Sequence, residues 1–243
     1  MGGSPPTARN FHDAWDVNID IHHGYGLTEC YGAHTFCEWN EEEWGSLPTE
    51  EKIRLRMRQG VSSVGGSIVS VVDDNMREVP HDGRTSGEIV MRGNNVMKGY
   101  YKEEDKTDEA FAGGWFHSGD LAVIDPDGYI RIVDRIKDII ITGGENVSSL
   151  EVEDVIREFP GVSDVAVYGK PDPKWGETVK ALVQMEQGTE AKPEDIIKHC
   201  NSRLAGFKCP REVVPGTVPR TSTGKVPKAV LRKSGLETVK GAV

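Results

Sequence analysis

The strongest constraint on the fold is a change in the sequence pattern just after residue 134. Residues 61–133 alternate short apolar runs with turn residues, as in Asp125-Pro126-Asp127-Gly128, which predicts a small β-barrel or a set of hairpins. Residues 138–243 instead alternate strand-like with helix-like segments, and two helices on a small sheet are typical of a compact α+β domain. We therefore predict a multidomain α+β chain with a first domain at 1–135 and a second at 136–243.

Periodicity and capping signals predict the individual elements. Ser148 and Glu151 have the spacing of a capping box, so a helix is predicted to begin there. Alternation predicts a strand over residues 18–21, and the charged segment 50–59 predicts a surface helix that Gly60 stops. Strands are also predicted at 67–72, 87–92, 121–124, 129–133, 138–141, 165–168, 179–185 and 212–214, and helices at 11–16, 150–159, 193–204 and from 228 onward.

Composition argues against several classes of protein. A net charge of −10 argues against general nucleic-acid binding, which needs a basic surface. No segment has the apolar length of a membrane span, no signal peptide is recognised, and the final residues do not form the simple peroxisomal tripeptide. The four cysteines lack zinc spacing, so we predict reduced thiols in or near the core of a cytoplasmic protein.

Four short motifs point to one kind of chemistry. They are Gly24-Tyr25-Gly26-Leu27-Thr28-Glu29, Gly114-Trp115-Phe116-His117-Ser118-Gly119-Asp120, Asp134-Arg135-Ile136-Lys137-Asp138 and Pro219-Arg220-Thr221-Ser222-Thr223-Gly224-Lys225-Val226-Pro227-Lys228. In this order they resemble the adenylate-forming enzymes, in particular the C-terminal half of the acyl-CoA synthetases. The resemblance covers nearly the whole chain. It implies a ligase that uses ATP and Mg²⁺ to convert a small carboxylic acid, fatty or aromatic, to an acyl-adenylate. Coenzyme A then forms the thioester, and AMP and pyrophosphate are released.

The resemblance assigns the first motif to the nucleotide. It implies that Tyr25 packs on the adenine, that Thr28 bonds a phosphate in a catalytic role, and that Glu29 holds Mg²⁺, with Gly26 in the same binding turn. An aromatic face, a hydroxyl and a hard carboxylate oxygen suit these tasks chemically. Gly2, Gly3 and Ser4 match the backbone loop that contacts adenine in the family. The alternative is a tyrosine in a β-turn beside a solvated glutamate.

The second and third motifs contribute further nucleotide contacts by resemblance. Asp120 corresponds to the aspartate that binds the ribose hydroxyls, since a carboxylate can accept from both. Arg135 corresponds to an arginine that also contacts the nucleotide. The alternatives are a turn aspartate before a strand and an ordinary exposed arginine. His117 is interpreted as a turn histidine without a catalytic role.

The remaining assignments concern the two half-reactions. Lys225 is implied to bridge the carboxylate and the α-phosphate, where negative charge accumulates in the transition state. Lys137 occupies the family's hinge position, and the Gly143-Gly144 loop is implied to line the passage for the pantetheine arm of coenzyme A. The alternatives are a solvated loop lysine and a plain β-turn before a capped helix.

One family feature does not occur in the chain. No Ser/Thr/Gly-rich stretch ends in Pro-Lys-Gly, and in the family that loop grips the β- and γ-phosphates. We therefore expect little adenylation by the chain alone, and a need for a missing N-terminal half or for self-association. Two other hypotheses remain open: a non-catalytic remnant or subunit that binds nucleotide or coenzyme A, and a module that loads a carrier-protein thiol.

Overall fold

The computed structural model describes residues 6–63, 67–222 and 224–234. The chain divides into two compact units, residues 1–133 and residues 134–243. Gly2, Gly3 and Ser4 lie outside the described residues. Within the described ranges, no helix combines the length and the apolar character needed to cross a membrane.

The first unit begins with helix α1 (Ala8–Asp16), which Thr7 caps by accepting the Asn10 N–H at 3.3 Å. Asn18, two residues after the last residue of the helix, turns the chain away with a left-handed φ of 59°. The N–H groups of Asn18 and Ile19 donate back to helix carbonyls at 2.9 and 2.8 Å. These donors are used to terminate the helix, so the strand predicted over residues 18–21 is wrong. The first strand of the chain begins at Gly24.

A three-stranded sheet follows, with two helices inserted before its last strand. In chain order the elements are β1 (Gly24–Leu27), β2 (Gly32–Phe36), α2 (Glu41–Trp44), α3 (Thr49–Arg56) and β3 (Val61–Ser62), and the strands lie in the order β1-β2-β3. Gly60 has a φ of 85° and follows α3 as predicted. The surface position predicted for residues 50–59 is wrong at its C-terminal end, because Arg58 is buried. Its guanidinium stacks 4.1 Å from the Tyr129 ring centroid and pairs with Asp127 at 2.7 Å.

The second sheet of this unit is built from sequential hairpins. Its elements are β4 (Ile68–Val72), β5 (Gly87–Arg92), α4 (Glu104–Ala110), β6 (Phe116–Ile124) and β7 (Ile130–Arg135). The strand order is β4-β5-β6-β7, so the first and last strands lie at opposite edges. In the described residues this sheet is open, and the predicted β-barrel does not form there. Four strands are half the number that typically encloses a side-chain-filled barrel, about eight. Ile89, Met91 and Phe116 form the centre of its apolar core.

The second unit is a mixed sheet with helices on both faces. Its strands are β8 (Ile140–Thr142), β9 (Glu145–Val147), β10 (Val162–Asp172), β11 (Gly176–Met185) and β12 (Glu212–Pro215), and its helices are α5 (Ser149–Arg157), α6 (Pro193–Asn201) and α7 (Lys228–Ser234). The strand order is β10-β11-β8-β9, with β12 parallel beside β11.

The two faces of this sheet follow the two-residue period of the strands. On β10, Val165 and Val167 join the cluster under α5 and α6, whereas Ala166 and Tyr168 join the cluster that includes Leu231 of α7. The predicted cap of α5 is confirmed, since the Glu151 N–H donates to the Ser148 hydroxyl at 3.1 Å.

Candidate functional site

A partly buried hydrogen bond joins the first two motifs within the first unit. The Tyr25 hydroxyl on β1 donates to Oδ2 of Asp120 on β6 at 2.7 Å. Asp120 is only 6% exposed. Burial, and then the charge of Asp120, raise the pKa of Tyr25 above its usual value, so the phenol stays a neutral donor at physiological pH. Two residues 95 positions apart are therefore brought together in one polar pair.

A bulge in β6 determines where Asp120 lies. Ile89 on β5 is opposite three residues of β6, because Glu88 pairs with Leu121 while Val90 pairs with His117. Gly119 lies inside the bulge with a φ of 71°. The Ser118 hydroxyl donates to the Ile89 carbonyl at 2.6 Å and accepts the Asp120 N–H at 3.1 Å. The Ser118 hydroxyl therefore replaces part of the interrupted strand pairing.

Glu88 holds the other side of the same bulge. Its Oε1 accepts the Gly119 N–H at 2.8 Å, and its Oε2 lies 2.7 Å from His117 Nδ1. The other His117 ring nitrogen lies 3.1 Å from the Ala112 carbonyl. His117 is on strand β6 and not in a turn, so its turn assignment from sequence is wrong. The strand extends back to Phe116 because the bulge allows pairing with β5 to resume there.

Thr28 and Glu29 lie in a 3₁₀ turn, Thr28–Cys30, between β1 and β2. The Glu29 carbonyl accepts the Met97 N–H at 2.7 Å, and its carboxylate accepts the Tyr100 hydroxyl at 3.3 Å. Thr28 is exposed and Glu29 is half-buried. Burial, and then the nearby Glu29 charge, raise the pKa of Tyr100.

The chemistry of this turn fits a magnesium ion that is held together with phosphate. Mg²⁺ is usually bound by one or two carboxylates together with substrate phosphates and waters. Glu29 supplies one carboxylate of that kind. Within the described ranges, no group of three or more His, Cys, Asp or Glu side chains gathers to hold a metal by itself.

Gly26 has a packing role that explains its glycine. A Cβ at this position would lie 1.8 Å from the Gly32 carbonyl oxygen on the paired strand. The β1–β2 hairpin also carries a register shift between Tyr25 and Gly26. The close approach of the two backbones sets the path into the turn that holds Thr28 and Glu29.

The third motif, residues 134–138, is anchored on both sides inside the second unit. Asp134 accepts the Ser149 hydroxyl at 2.6 Å, at the start of α5, and also the Arg135 N–H at 2.7 Å. Lys137 lies exposed in the 3₁₀ turn Ile136–Asp138. The Arg232 guanidinium of α7 donates to the Lys137 carbonyl at 2.6 Å and to the carbonyls of the next two residues at 3.1 Å.

The two predicted glycines form the tip of the β8–β9 hairpin. Gly143 and Gly144 have φ values of 62° and 89°, as a two-residue type I′ turn requires. The Gly143 N–H donates to the Trp175 carbonyl at 2.8 Å, and a Cβ at Gly143 would lie 3.0 Å from the Trp175 ring. Arg211 stacks 4.9 Å from the centroid of that ring. The turn is therefore fixed against an aromatic side chain and is exposed at its tip.

Lys225 lies exposed in a closed loop of the last motif. The Thr221 N–H donates to the Lys225 carbonyl at 2.9 Å, and the Gly224 N–H donates to the Thr221 carbonyl at 2.8 Å. Arg220 donates to the Gly224 carbonyl at 2.6 Å and pairs with Asp164 of β10 at 2.6 Å. The loop is therefore tied to the sheet through the residue that opens it.

Sequence reasoning missed several residues that organise these loops. Ser118 and Arg220 lie inside quoted motifs, so their positions were a usable signal. Glu88 and Arg232 lie outside the quoted motifs, and only the folded chain shows what they contact. Of the predicted residues in the second unit, Arg135 ends β7 and Lys137 lies in the 3₁₀ turn that follows it, whereas the glycine pair and Lys225 lie on two other loops.

Comparisons with known proteins identify the family of this chain. The model of the AMP-binding enzyme family matches residues 1–101, and the model of the AMP-binding enzyme C-terminal domain matches residues 151–225. The chain is 51% identical over 232 residues to 4-hydroxybutyrate–CoA ligase 2 of Metallosphaera sedula, covering 96% of this chain and 42% of that protein. It is 48% identical over 242 residues to the acetate–CoA ligase CCL3 of Humulus lupulus, covering 97% of this chain and 42% of the relative.

Solved structures show the same fold. ATP-bound MatB from Rhodopseudomonas palustris superposes with a TM-score of 0.81 at 33% identity, covering 96% of this chain and 44% of that chain. An α+β architecture with matches to both AMP-binding models defines an AMP-binding enzyme. The chain belongs to the adenylate-forming superfamily and resembles its acyl-CoA synthetases. It spans 42% of the length of the first two relatives named here.

Proposed function

We propose that the protein containing this chain is an ATP-dependent acyl-CoA ligase. The observation that carries the proposal is the Tyr25–Asp120 hydrogen bond, which joins the first two motifs in the fold of a family whose curated relatives are named CoA ligases. The reaction joins a carboxylic acid to ATP as an acyl-adenylate, releasing pyrophosphate. It then transfers the acyl group to the thiol of coenzyme A, releasing AMP.

The first unit supplies the nucleotide contacts in this proposal. The Tyr25 ring packs on adenine while its hydroxyl remains on Asp120. A carboxylate can accept several hydrogen bonds, so Asp120 can hold Tyr25 and the ribose hydroxyls together. Thr28 donates to a phosphate oxygen from the exposed turn. Glu29 holds Mg²⁺, which when bound neutralises part of the phosphate charge. Gly26, and Gly2, Gly3 and Ser4, supply backbone next to the nucleotide.

The second unit supplies the groups that differ between the two half-reactions. We assign residues 136–243 to a mobile C-terminal domain and residues 1–135 to the remainder of the large AMP-binding domain. Lys225 donates to the carboxylate and to the α-phosphate during adenylate formation, where an ammonium stabilises the developing charge. Arg135 contacts the nucleotide, and Lys137 is the hinge. The exposed tip at Gly143-Gly144 admits the pantetheine arm of coenzyme A.

The acid is proposed from the relatives' names. They include ligases of 4-hydroxybutyrate, acetate and butyrate, and a trans-cinnamate ligase of Petunia hybrida. Short fatty acids are therefore the first candidates, with aromatic acids second. A cytoplasmic location stays a prediction, since several of the relatives are named as peroxisomal.

The experiment measures carboxylate-dependent AMP formation with ATP, Mg²⁺, coenzyme A and a panel of short, medium and aromatic acids. It is run with the chain alone, and with the part of the Metallosphaera ligase that this chain does not cover added as a second polypeptide. Lys225→Ala is expected to reduce adenylate formation strongly while thioester formation from preformed adenylate persists. Lys233→Ala, an exposed lysine of α7, is the matched control. Equal loss in both half-reactions would overturn the assignment of Lys225.

The second candidate is a non-catalytic subunit that binds nucleotide or coenzyme A. Nucleotide binding without AMP formation in either arm of the experiment would support this candidate. Turnover with a holo-carrier protein but not with coenzyme A would instead support a carrier-loading module.

A further inference from the structure

In the bulge that carries Asp120, the strand-to-strand hydrogen bonds of the sheet do not supply an acceptor for every backbone N–H. A bulge leaves its extra residues outside the ladder of strand hydrogen bonds, and a buried N–H without an acceptor is costly. The acceptor for the Gly119 N–H is Oε1 of Glu88 at 2.8 Å. Glu88 stands on β5, the strand that pairs with the bulge, and its side chain is 21% exposed.

We propose that Glu88 is a positioning residue for the nucleotide's ribose. It holds the backbone at Gly119 so that the next residue, Asp120, presents its carboxylate at the Tyr25 hydroxyl. This inference rests on the proposed ribose role of Asp120. Glu88 itself does not touch the nucleotide in this proposal and acts only through the bulge.

The Ser118 hydroxyl also holds the bulge, but it does not bind the Gly119 N–H. The Ser118 hydroxyl uses its single proton on the Ile89 carbonyl, and it accepts the Asp120 N–H. Ser118 therefore supports the residues on either side of Gly119, whereas Glu88 supports Gly119 itself. Because Gly119 has no Cβ, its backbone, which is left-handed here with a φ of 71°, has wide conformational freedom once its N–H is released.

Glu88 contacts His117 as well as Gly119, with one carboxylate oxygen for each. The two Glu88 oxygens accept at neighbouring points of one strand, 2.8 Å from the Gly119 nitrogen and 2.7 Å from His117 Nδ1. Both ring nitrogens of His117 face an acceptor, since Nδ1 faces the Glu88 carboxylate and Nε2 lies 3.1 Å from the Ala112 carbonyl. The carboxylate is therefore fixed by a histidine that is itself fixed by the loop before β6.

Another carboxylate–histidine pair in the first unit provides a matched control. Glu78 lies 3.3 Å from His81, and their side chains are 56% and 47% exposed. Glu78 also accepts the Ser70 hydroxyl, but its contacts do not involve the β6 bulge. Removing Glu78 tests the loss of a surface carboxylate without loss of the Gly119 contact.

The experiment compares Glu88→Ala, Glu88→Gln, Asp120→Ala and Glu78→Ala in the full chain. Hydrogen–deuterium exchange reads the bulge directly, without any nucleotide. In Glu88→Ala we expect exchange at Gly119 and Asp120 to be faster by about tenfold or more, with β10 amides unchanged. Glu88→Gln keeps one acceptor oxygen for Gly119 and is expected to restore most of the protection. Unchanged exchange at Gly119 in Glu88→Ala would overturn the proposal.

Nucleotide titration measures how the bulge affects the affinity for the ribose 2′-hydroxyl. The wild-type chain and Glu88→Gln are expected to bind ATP about tenfold more tightly than 2′-deoxy-ATP, the size of one hydrogen bond to a charged group. Glu88→Ala, like Asp120→Ala, is expected to lose this preference, whereas Glu78→Ala keeps it. Weaker binding of both nucleotides by one factor in Glu88→Ala would overturn the positioning role. A wild-type chain without any ribose preference would remove the ribose role of Asp120, while the exchange data still decide whether Glu88 holds the bulge.

Discussion

Arg220 is joined to Asp164 by two of its guanidinium nitrogens, Nε at 3.0 Å and Nη2 at 2.6 Å from the same carboxylate oxygen. The third nitrogen donates to the Gly224 carbonyl at 2.6 Å. Asp164 belongs to β10, so the arginine connects the sheet of the second unit to the peptide group that precedes Lys225. The exposed Lys225 therefore lies on a loop that Arg220 attaches to the sheet.

This attachment predicts an effect on one half-reaction only. Arg220→Gln frees the Gly224 carbonyl and is expected to lower adenylate formation by about tenfold, because small displacements of a catalytic group are costly. Thioester formation from preformed adenylate is expected to change by less than about twofold, since the proposed function assigns Lys225 to the first step only. Single-turnover assays of the two half-reactions make the measurement.

Two variants make that result specific. Arg203→Gln removes a pair with Glu158 at 3.2 Å, and the exposure of this arginine, 45%, matches the 46% of Arg220. It is expected to leave both half-reactions unchanged. Adding Arg220→Gln to Lys225→Ala is expected to cause no further loss; losses that add would show that Arg220 acts independently of Lys225.

The buried lysine of α7 is predicted to stabilise the second unit. Lys228 Nζ lies 2.7 Å from Glu153 Oε1 and 2.7 Å from the Ser149 hydroxyl, and all three residues are buried. Lys228→Met leaves the Glu153 charge without this partner. We expect a loss of about 3 kcal/mol in the free energy of unfolding, as for other broken buried pairs. Urea-dependent hydrogen exchange of the α5 amides measures it.

The comparison variant for Lys228 is an exposed lysine of the same unit. Lys170 pairs with Glu212 at 2.9 Å and is 48% exposed, so Lys170→Met is expected to cost less than about 1 kcal/mol. Adding Glu153→Gln to Lys228→Met removes the buried charge, which has lost Lys228 and keeps Arg157 at 3.0 Å as an ion-pair partner, and is expected to recover part of the loss. Equal effects of the two lysine variants would contradict a buried ion pair.

Gly26 is predicted to be required for packing, whatever it does with a nucleotide. Gly26→Ala places a Cβ 1.8 Å from the Gly32 oxygen, so the β1–β2 hairpin has to separate. We expect a destabilisation of about 3 kcal/mol, at the upper end for overpacking, measured by urea denaturation. Gly206→Ala is the control, because no atom lies within 4 Å of its added Cβ. Similar stabilities of the two variants would show that the β1–β2 hairpin can separate without a loss in the free energy of unfolding.

The cysteines are predicted to be unreactive in the folded chain. Burial raises the pKa of Cys30, Cys37 and Cys200 to about 11 and also raises that of Cys209. At about pH 8 roughly one thiol in a thousand is then ionised, and the thiolate is the reactive form. A disulfide reagent is expected to label the thiols only after urea is added. Rapid labelling of the native chain at this pH would contradict their burial.

The same shifts set the sign of an alkaline effect. A folded-state pKa raised to about 11, above the unfolded value, means that stability from the neutral thiols is complete below about pH 8.5. That stability is lost as the pH rises toward 11, because the unfolded chain ionises first. The urea midpoint is therefore expected to be lower at about pH 10 than at about pH 7. Replacing Cys30 by alanine is expected to reduce the difference between the two midpoints.

Elements with a strong local signal were predictable. The strand predicted at 87–92 matches β5, because its apolar run is bounded by Gly87 and a charged residue. The strand predicted at 18–21 failed because Asn18 turns left-handed and its neighbours cap α1. Residues 56–59 failed in another way. Their arginines look solvated in sequence, but aromatic rings and carboxylates from distant segments surround Arg58 in the fold.

The site was predictable only as far as motifs extend. Tyr25 and Asp120 were predicted as nucleotide contacts because each lies in a recognisable motif, although nothing local in the sequence indicates that they touch each other. Glu88 could not be found in this way, since its role depends on a bulge that shifts strand register. A register shift is a property of two paired strands, and periodicity within one strand does not reveal it.

Gly119 and Gly26 of the first unit are expected to differ in which substitutions they tolerate. A Cβ at Gly119 would meet no atom within 4 Å, so only its left-handed backbone disfavours other residues. Asn and Asp adopt that conformation at modest cost, whereas Val and Ile do not. Gly26 meets backbone at 1.8 Å, which no side chain tolerates. Among natural homologues, position 119 can therefore drift to asparagine while position 26 stays invariant.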